Sequence, residues 1–332
     1  MIDLQGTASE MMKAGKGLLA ADESIKSADE KRLVPYGIKP SVEMRRKFRD
    51  LFLSAPGVED YLTGVILYEE TAKQKGNDGT PFPKLLAEKG ILPGIKVDEG
   101  TDPLVDGSKE TITKGLIGLP ERLQAYSKQG MKFTKWRAVI RIDGDKLPSA
   151  HALVENAKRL AAYALEVQRA GMVPMLEPEV LLEGKHSRTR SKTVITQILK
   201  TLFAALEDQA VDITGVIVKT SMALTGSEGG KKDTPEEVAE DTLEALIKAV
   251  PKQVPGIVFL SGGQTPDEAT ANLAAICARA KSAGAPWPLT FSFARALQEE
   301  ALEAWKGKEE NVEAARAVFL ARLKKVSAAL GN

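Results

Sequence analysis

The sequence predicts an α/β protein, and two observations carry this prediction. Short apolar runs alternate with helix-like patterns along the whole chain, which is typical of βα units that build a parallel sheet. Eight such runs follow one another without an internal repeat or a low-complexity linker. Eight units fit a closed (β/α)8 barrel of the TIM type better than an open sheet. We therefore expect one domain, a single barrel spanning residues 1–332.

The eight apolar runs are the predicted barrel strands. They lie at residues 17–21, 63–68, 92–97, 133–142, 172–176, 214–218, 257–260 and 289–291. Between them, apolar side chains from Leu153 to Val167 recur at helical spacing, and Gly171 is expected to end that helix. Thr234 and Thr265 are each followed directly by proline, and a glutamate stands three residues after each threonine. This pattern predicts two capping boxes.

Four stretches rich in glycine, proline, aspartate and charge are expected to be long loops. They are residues 76–84, 98–115, 183–190 and 220–232. Several follow a predicted strand, and loops after the strands are the side of a barrel where active sites sit.

Composition excludes several classes of protein. With 46 basic and 45 acidic residues, the net charge of +1 supplies no general attraction for nucleic acid or anionic membrane. The start of the chain lacks a basic segment followed by an apolar one, and nowhere do 18 consecutive apolar residues occur. The single cysteine, Cys277, has no partner within the chain. We expect a cytoplasmic enzyme without a disulfide.

The two histidines argue against a histidine-held metal. His151 and His186 are far apart and lack the paired spacing of a zinc or iron site. Carbonyl chemistry in this chain would then need another electron sink, and a lysine imine is the main alternative. We expect no metal and no cofactor.

Polar side chains stand where the predicted strands end. Lys135 and Arg137 share one side of a strand opposite Trp136, and Glu177 and Glu179 share one face by the same alternation. Parallel strands of a barrel end at one mouth, so the polar residues at these ends should lie close together. This set comprises Asp22, Lys96, Lys135, Arg137, Glu177 and Lys219.

Such a cluster suits imine catalysis. A lysine amine must lose its proton before it attacks a carbonyl, and burial with neighbouring cations such as Lys135 and Arg137 favours that loss. Lys219 is the expected nucleophile. The iminium draws electrons from the adjacent carbon–carbon bond, while a carboxylate takes the hydroxyl proton on its far side. Glu177 and Asp22 are both candidates for that carboxylate.

The segments after the last two strands predict a phosphate site. Ser261, Gly262 and Gly263 follow the seventh run, and Ser292 and Arg295 follow the eighth. Barrels commonly bind phosphate there through backbone N–H groups, and an arginine can add a charge-assisted contact.

These residues resemble the class I, or Schiff-base, fructose-bisphosphate aldolases along nearly the whole chain. The similar segments are residues 16–24, 64–67, 78–83, 94–98, 135–137, 174–179, 260–264 and 289–297. The resemblance implies a metal-independent lyase of glycolysis that cleaves fructose 1,6-bisphosphate to dihydroxyacetone phosphate and glyceraldehyde 3-phosphate. Its ligands would be this phosphorylated ketose and the triose phosphates, and its assembly a homotetramer.

The resemblance also implies roles for individual residues. Lys219 would form the imine, Lys135 would aid proton transfer, and Glu177 and Asp22 would handle protons. The other expected substrate contacts fall into three groups. They are Ser261, Gly262, Gly263, Ser292 and Arg295 at the ketose-side phosphate; Ser24, Ser27, Lys96 and the Lys31-Arg32 pair near the distal phosphate; and Arg137 and Glu179 beside them.

The sequence departs from the family pattern at five places. Thr214 and Thr220 flank the Lys219 strand where the family has glutamate and proline, and Ala294 replaces a glycine of the phosphate turn. Residues 27–32 are one residue longer than in animal members. Animal members also carry a C-terminal tyrosine for proton exchange, whereas this chain ends at Asn332, so we expect another group to do that work.

Three alternatives remain at this stage. The same chemistry could serve sedoheptulose bisphosphate or a ketose 1-phosphate. A scaffold role on the same fold would require loss of the catalytic groups, which are all present. A barrel isomerase with a glutamate base would leave the lysine without a role.

Overall fold

The computed structural model describes residues 3–331 and shows a closed barrel of eight parallel strands. The strands run in chain order around the barrel, and the last strand pairs with the first. The predicted (β/α)8 fold is therefore confirmed. Met1, Ile2 and Asn332 lie outside the described residues. The predictions about the start and the end of the chain depend partly on these three residues.

Each predicted run forms a strand. The barrel strands are β1 (Gly17–Ala21), β2 (Leu62–Leu67), β3 (Leu92–Lys96), β4 (Phe133–Ile140), β5 (Val173–Val180), β6 (Ile217–Thr220), β7 (Ile257–Phe259) and β8 (Leu289–Phe293). Two boundaries differ from the expectation by more than two residues. Strand β5 continues past Pro178 because it stays in register with β4 as far as Ile140 opposite Val180. Strand β6 starts later because Asp212 caps a short 3-10 turn, Ile213–Gly215, through the Thr214 N–H at 2.9 Å.

The helices connect the strands and cover the barrel. Within residues 3–331 they are α1 (Leu4–Met11), α2 (Ile25–Ala28), α3 (Val42–Leu53), α4 (Glu69–Ala72), α5 (Phe82–Glu88), α6 (Leu119–Lys128), α7 (Ala150–Arg169), α8 (Arg188–Asp208), α9 (Pro235–Ala249), α10 (Pro266–Ala283), α11 (Arg295–Trp305) and α12 (Val312–Ala328). Across these residues every helix is too short or too polar to cross a membrane.

The predicted helix signals are present. Ser149 caps α7, and Gly171 follows that helix with φ of +77°. Thr234 and Thr265 form complete capping boxes with Glu237 and Glu268. These motifs satisfy N–H groups that the first helical turn leaves free, so they fix where α9 and α10 begin.

One predicted loop contains more structure than expected. Within residues 98–115, Thr101–Pro103 and Thr111–Thr113 pair as a short antiparallel hairpin. The Thr113 hydroxyl donates to the Arg137 carbonyl at 2.7 Å, and the Asn156 amide donates to the Thr111 carbonyl at 2.9 Å. Contacts from β4 and α7 therefore order this hairpin, and the local sequence does not encode them.

The barrel interior is filled at one end. Leu18, Ile66, Phe133, Met175 and Ile217 point inward and form one buried cluster with methionines of α1 and its C-cap. The close packing needs small neighbours, since a Cβ on Gly94 would lie 2.3 Å from the Phe133 ring. Burial of such a side chain contributes about 1.5–3 kcal/mol. With the amino end of the barrel closed, the site lies at the carboxyl ends of the strands.

Candidate active site

One large cavity of about 1040 Å³ opens at the carboxyl ends of the strands. Every residue that the sequence predicted for catalysis or substrate binding lines it. They are Asp22, Ser24, Ser27, Arg32, Lys96, Lys135, Arg137, Glu177, Glu179, Lys219, Ser261, Gly262, Gly263, Ser292 and Arg295. The fold thus brings the predicted residues together, while the role of each stays a prediction.

Two buried lysines share one carboxylate on the cavity floor. The Nζ atom of Lys219 lies 3.0 Å from Oε1 of Glu177, and the Nζ atom of Lys135 lies 3.0 Å from Oε2. Lys135 also reaches Oδ2 of Asp22 at 2.6 Å. Only 3–4% of the surface of Lys135, Lys219 and Glu177 is exposed. The two positive and two negative charges of Lys219, Glu177, Lys135 and Asp22 therefore compensate one another in a row of ion pairs with little exposure to water. Buried ions require such compensation.

Strand geometry explains why these side chains meet. In β4, Trp136 faces outward and packs on Tyr163 of α7 with ring centroids 5.3 Å apart, so Lys135 and Arg137 face the cavity. The parallel register sets Arg137 opposite Glu177 on β5. Lys219 is the third residue of the four in β6. The Tyr163 hydroxyl, 2.6 Å from the Thr134 hydroxyl, supports β4 from behind.

The two acids of this row of ion pairs, Asp22 and Glu177, are held in their ionised form. Burial raises the pKa of the Asp22 carboxyl, but Lys135, Lys219 and Lys96 outweigh burial and bring its pKa well below the ordinary value. Glu177 follows the same pattern, since burial is outweighed by Lys135 and Lys219 and its pKa falls. Burial lowers the pKa of Lys135, but the charges of Asp22 and Glu177 raise it by more than burial lowers it. The pKa of Lys135 is therefore raised overall, and Lys135 remains an ammonium ion.

The environment of Lys219 differs from the sequence-based expectation in one respect. That expectation named Lys135 and Arg137 as neighbouring cations and did not include their partners. Lys135 contacts Asp22 and Glu177, and Arg137 bonds Glu179 through its Nε. The reason is the cost of burying unpaired charge. The nearest ionic group to the Lys219 amine is therefore a carboxylate that can accept its proton.

A glycine turn and an arginine form one end of the cavity. Gly262 and Gly263 have φ of +35° and +81°, and a Cβ on them would lie 2.6 Å from Leu260 and 2.8 Å from Leu182. Only glycine fits both positions. Arg295 holds this turn, because its Nη2 donates to the carbonyls of Gly263 at 2.7 Å and Gln264 at 2.6 Å.

Ser292 offers a free polar atom beside this turn. Its Oγ is buried and has no hydrogen-bond partner among the described residues. A buried hydroxyl without a partner is costly unless a ligand or water satisfies it. Ala294, which replaces a family glycine, has φ of −106°, so an L-residue is accommodated there. The site fits an anion such as a phosphate.

A second group of polar residues, which follow β1 and β3, also lines the cavity. Ser24 caps α2 through the Ser27 N–H at 3.3 Å. Lys96 contacts Asp98 through the carboxylate at 2.6 Å and the carbonyl at 2.7 Å. Arg32 lies in a π-helical turn, Asp29–Leu33, and lines the cavity.

The residues that flank the Lys219 strand bond mainly to the scaffold. Thr214 lies in the turn before β6, where its hydroxyl contacts Gln5 at 2.5 Å and Asp212 at 2.6 Å. Thr220, the last residue of β6, is buried, and its hydroxyl has no hydrogen-bond partner among the described residues. Ser221 bonds both backbone groups of Val180, at 3.0 and 2.9 Å, and so ties the end of β6 to the end of β5.

Sequence reasoning missed two acids that hold the predicted cations. Glu23 accepts from Arg32 at 2.8 Å and from Arg49 at 2.5 Å, and Asp98 binds Lys96 while accepting the Arg137 N–H at 3.2 Å. Each directly neighbours a predicted site residue or lies two positions from one. Asp98 could have been identified by its position two residues after the strand-end cation Lys96, and Glu23 by its position directly after Asp22.

The histidines lie apart from this cavity. His186 is buried in the loop before α8, where burial and Arg190 lower its pKa. Among residues 3–331, no group of three histidine, cysteine, aspartate or glutamate side chains is placed to hold a metal ion.

Comparisons with known proteins agree on one family. A family model described as fructose-bisphosphate aldolase class-I matches residues 3–332. Fructose-bisphosphate aldolase 4, cytosolic, from Arabidopsis thaliana is 44% identical over 322 residues, which cover 97% of this chain and 81% of the relative. A probable class 1 fructose-bisphosphate aldolase from Xanthomonas campestris is 44% identical over 331 residues, or 99% and 98% of the two chains.

A solved structure shows the same fold. It is the fructose-bisphosphate aldolase from Plasmodium falciparum in complex with TRAP and a small-molecule inhibitor. The two chains superimpose with a TM-score of 0.95 at 40% sequence identity, over 99% of this chain and 94% of the other.

Proposed function

The chain belongs to the class I fructose-bisphosphate aldolase family, and from that premise we propose that Lys219 forms the imine with its substrate. The protein is an aldehyde-lyase that reversibly cleaves fructose 1,6-bisphosphate into dihydroxyacetone phosphate and glyceraldehyde 3-phosphate. Its relatives are named for fructose bisphosphate, which favours this substrate over sedoheptulose bisphosphate or a ketose 1-phosphate.

The observation that carries the proposal is the buried contact between Lys219 and Glu177, 3.0 Å from Nζ to Oε1. Glu177 takes a proton from the ammonium, which frees the amine to attack the ketose carbonyl. The resulting carbinolamine loses its hydroxyl as water when Glu177 returns the proton. The product is an iminium ion on Lys219, the electron sink for the next step.

Asp22 is the group we assign to the cleavage step. It is ionised, and its carboxylate is held 2.6 Å from Lys135. It accepts the hydroxyl proton beyond the bond being broken, while the electrons of that bond move to the iminium carbon. The aldehyde leaves, and the enamine on Lys219 takes up a proton before hydrolysis releases the ketone. Lys135, an ammonium ion between Asp22 and Glu177, stabilises both carboxylates throughout.

The two ends of the cavity fit the two phosphates. Ser261, Gly262, Gly263, Ser292 and Arg295 are proposed to hold the ketose-side phosphate, supported by the glycine turn and the unpartnered Ser292 hydroxyl. The distal phosphate is assigned to Ser24, Ser27, Lys31, Arg32 and Lys96, which line the same cavity. Arg137 and Glu179 form an ion pair that also lines the cavity, and they are assigned to the sugar hydroxyls.

A coupled assay tests the function. Purified protein with fructose 1,6-bisphosphate and a chelator should release triose phosphate, and Lys219→Met should not. Activity that disappears with chelator in the wild-type protein would contradict the metal-independent reaction. Release of triose phosphate that survives in Lys219→Met would show that cleavage does not need an imine on Lys219.

We also propose that the chain acts as a single domain, residues 1–332, in a cytoplasmic homotetramer. The cytosolic name of the Arabidopsis relative supports the location, and Ile117, 95% exposed, is an apolar side chain that an assembly would cover. Light scattering should give four times the chain mass of 35.7 kDa, and a monomer mass would contradict the assembly.

A further inference from the structure

Two arginines of α3 hold the segment that carries the predicted distal-phosphate residues. This distal segment, residues 23–33, joins β1 to α3 and contains Ser24, Ser27, Lys31 and Arg32. Arg45 and Arg49 are four residues apart, so they project from one face of α3. Their exposed fractions are only 8% and 2%.

Arg49 binds Glu23, the first residue of the distal segment. Its Nη1 lies 2.5 Å from Oε2 of Glu23, and its Nη2 donates to the Glu23 carbonyl at 3.0 Å. The second carboxylate oxygen of Glu23 accepts from Nε of Arg32 at 2.8 Å. A continuous chain therefore runs from α3 through Glu23 to Arg32.

Arg45 binds Asp29 in the middle of the same segment. Its Nη1 lies 3.1 Å from both carboxylate oxygens of Asp29, the first residue of the π-helical turn. Its Nε and Nη2 form a fork on Glu70 at 2.7 and 2.8 Å, which ties the arrangement to α4 beyond β2. The planar guanidinium forms a two-point fork on Glu70 while it contacts Asp29, and the single ammonium group of a lysine cannot reproduce that fork.

Stability alone does not account for this arrangement. Burying ion pairs costs desolvation, and apolar packing of the same volume is often equally stabilising. What the arginines add is orientation, since directional hydrogen bonds fix Asp29 and Glu23 relative to α3. The turn that they fix presents Lys31 and Arg32 to the cavity.

We propose that Arg45 and Arg49 are positioning residues that hold the distal segment in place for the second phosphate, and so set the preference for bisphosphorylated over monophosphorylated ketoses. This inference rests on the proposed function. A ketose 1-phosphate carries only the phosphate bound at the glycine turn, so its cleavage does not use the distal segment.

The test compares fructose 1,6-bisphosphate with fructose 1-phosphate. Arg45→Met should raise KM for the bisphosphate about tenfold, as expected for a misplaced charge-assisted contact, with KM for the monophosphate changed less than about twofold. Arg45→Lys should recover part of the loss. Arg46→Met is the matched control, because Arg46 is on the same helix and pairs with Glu43 of that helix at 2.7 Å.

A second variant keeps the test decisive if Arg45→Met does not fold. Asp29→Asn removes the same contact from the partner side, where the Asp29 side chain is 23% exposed. It should shift the ratio of the two KM values in the same direction. The inference would be overturned if KM changed by the same factor for both sugars. An unchanged ratio of the two KM values in a folded Asp29→Asn protein would overturn it as well. Wild-type protein that cleaves neither sugar would instead refute the proposed function.

Discussion

Glu177 places its Oε1 atom 3.0 Å from the amine of Lys219 and its other oxygen the same distance from Lys135. One carboxylate therefore serves the proposed nucleophile and contacts the neighbouring ammonium ion. Because the three side chains are almost fully buried, proton movement between them is shielded from water.

Glu177→Gln should lower kcat about 10²- to 10⁴-fold, because the amide cannot take the proton of Lys219. KM should change far less, since the phosphate contacts remain. Steady-state kinetics measure both. Glu179→Gln is the control, as its carboxylate pairs with Arg137 and should affect KM more than kcat. Near-wild-type kcat in Glu177→Gln would remove this acid from the mechanism.

Acid should destabilise the protein through Asp22 and Glu177. Their folded pKa values lie below the ordinary values of 3.8 and 4.5, so the unfolded chain binds more protons as the pH falls. The stability that they contribute is complete above the unfolded pKa values and is lost as pH drops through the folded ones.

Urea unfolding at neutral pH and at about pH 3, below both unfolded pKa values, measures this loss. In Asp22→Asn one of the two groups is gone, so the free energy of unfolding should be lower at neutral pH and should fall less steeply with acid. An identical pH dependence in both proteins would show that Asp22 is not held in its ionised form.

Gly263→Ala should raise KM about tenfold for both fructose 1,6-bisphosphate and fructose 1-phosphate, because a distorted turn loses phosphate hydrogen bonds. Gly284→Ala is the matched control. Gly284 has nearly the same φ, +82° against +81°, but ends α10. Both variants should lose about 1 kcal/mol of stability from backbone strain, and Gly263→Ala should lose more because its Cβ would lie 2.8 Å from Leu182. A KM change of equal size in both would attribute the effect to stability.

The sequence predicts most of the fold because the pattern of each element is local. Strand alternation places Lys135 and Arg137 opposite Trp136, and capping boxes place Thr234 and Thr265. The end of β5 and the hairpin at Thr101–Pro103 were not predictable, since they depend on pairing with β4 and on contacts from α7.

Within the site, sequence identifies charges but not their partners. The sequence does not single out Arg45 and Arg49, and only the structure shows that they are buried and hold Asp29 and Glu23. The acids that pair with Lys135 and Arg137 were likewise not predicted as their partners, because pairing is a tertiary property. The spacing of four between the two arginines is the one signal that was present.

Trapping the imine tests the central claim most directly. Wild-type protein is incubated with dihydroxyacetone phosphate and reduced with borohydride, and the digest is analysed by mass spectrometry, with Lys219→Met treated in parallel. We predict that the reduced adduct is found on the peptide containing Lys219 and is lost in the variant. An adduct on another lysine, such as Lys135, or no adduct on the wild-type protein, would contradict the account.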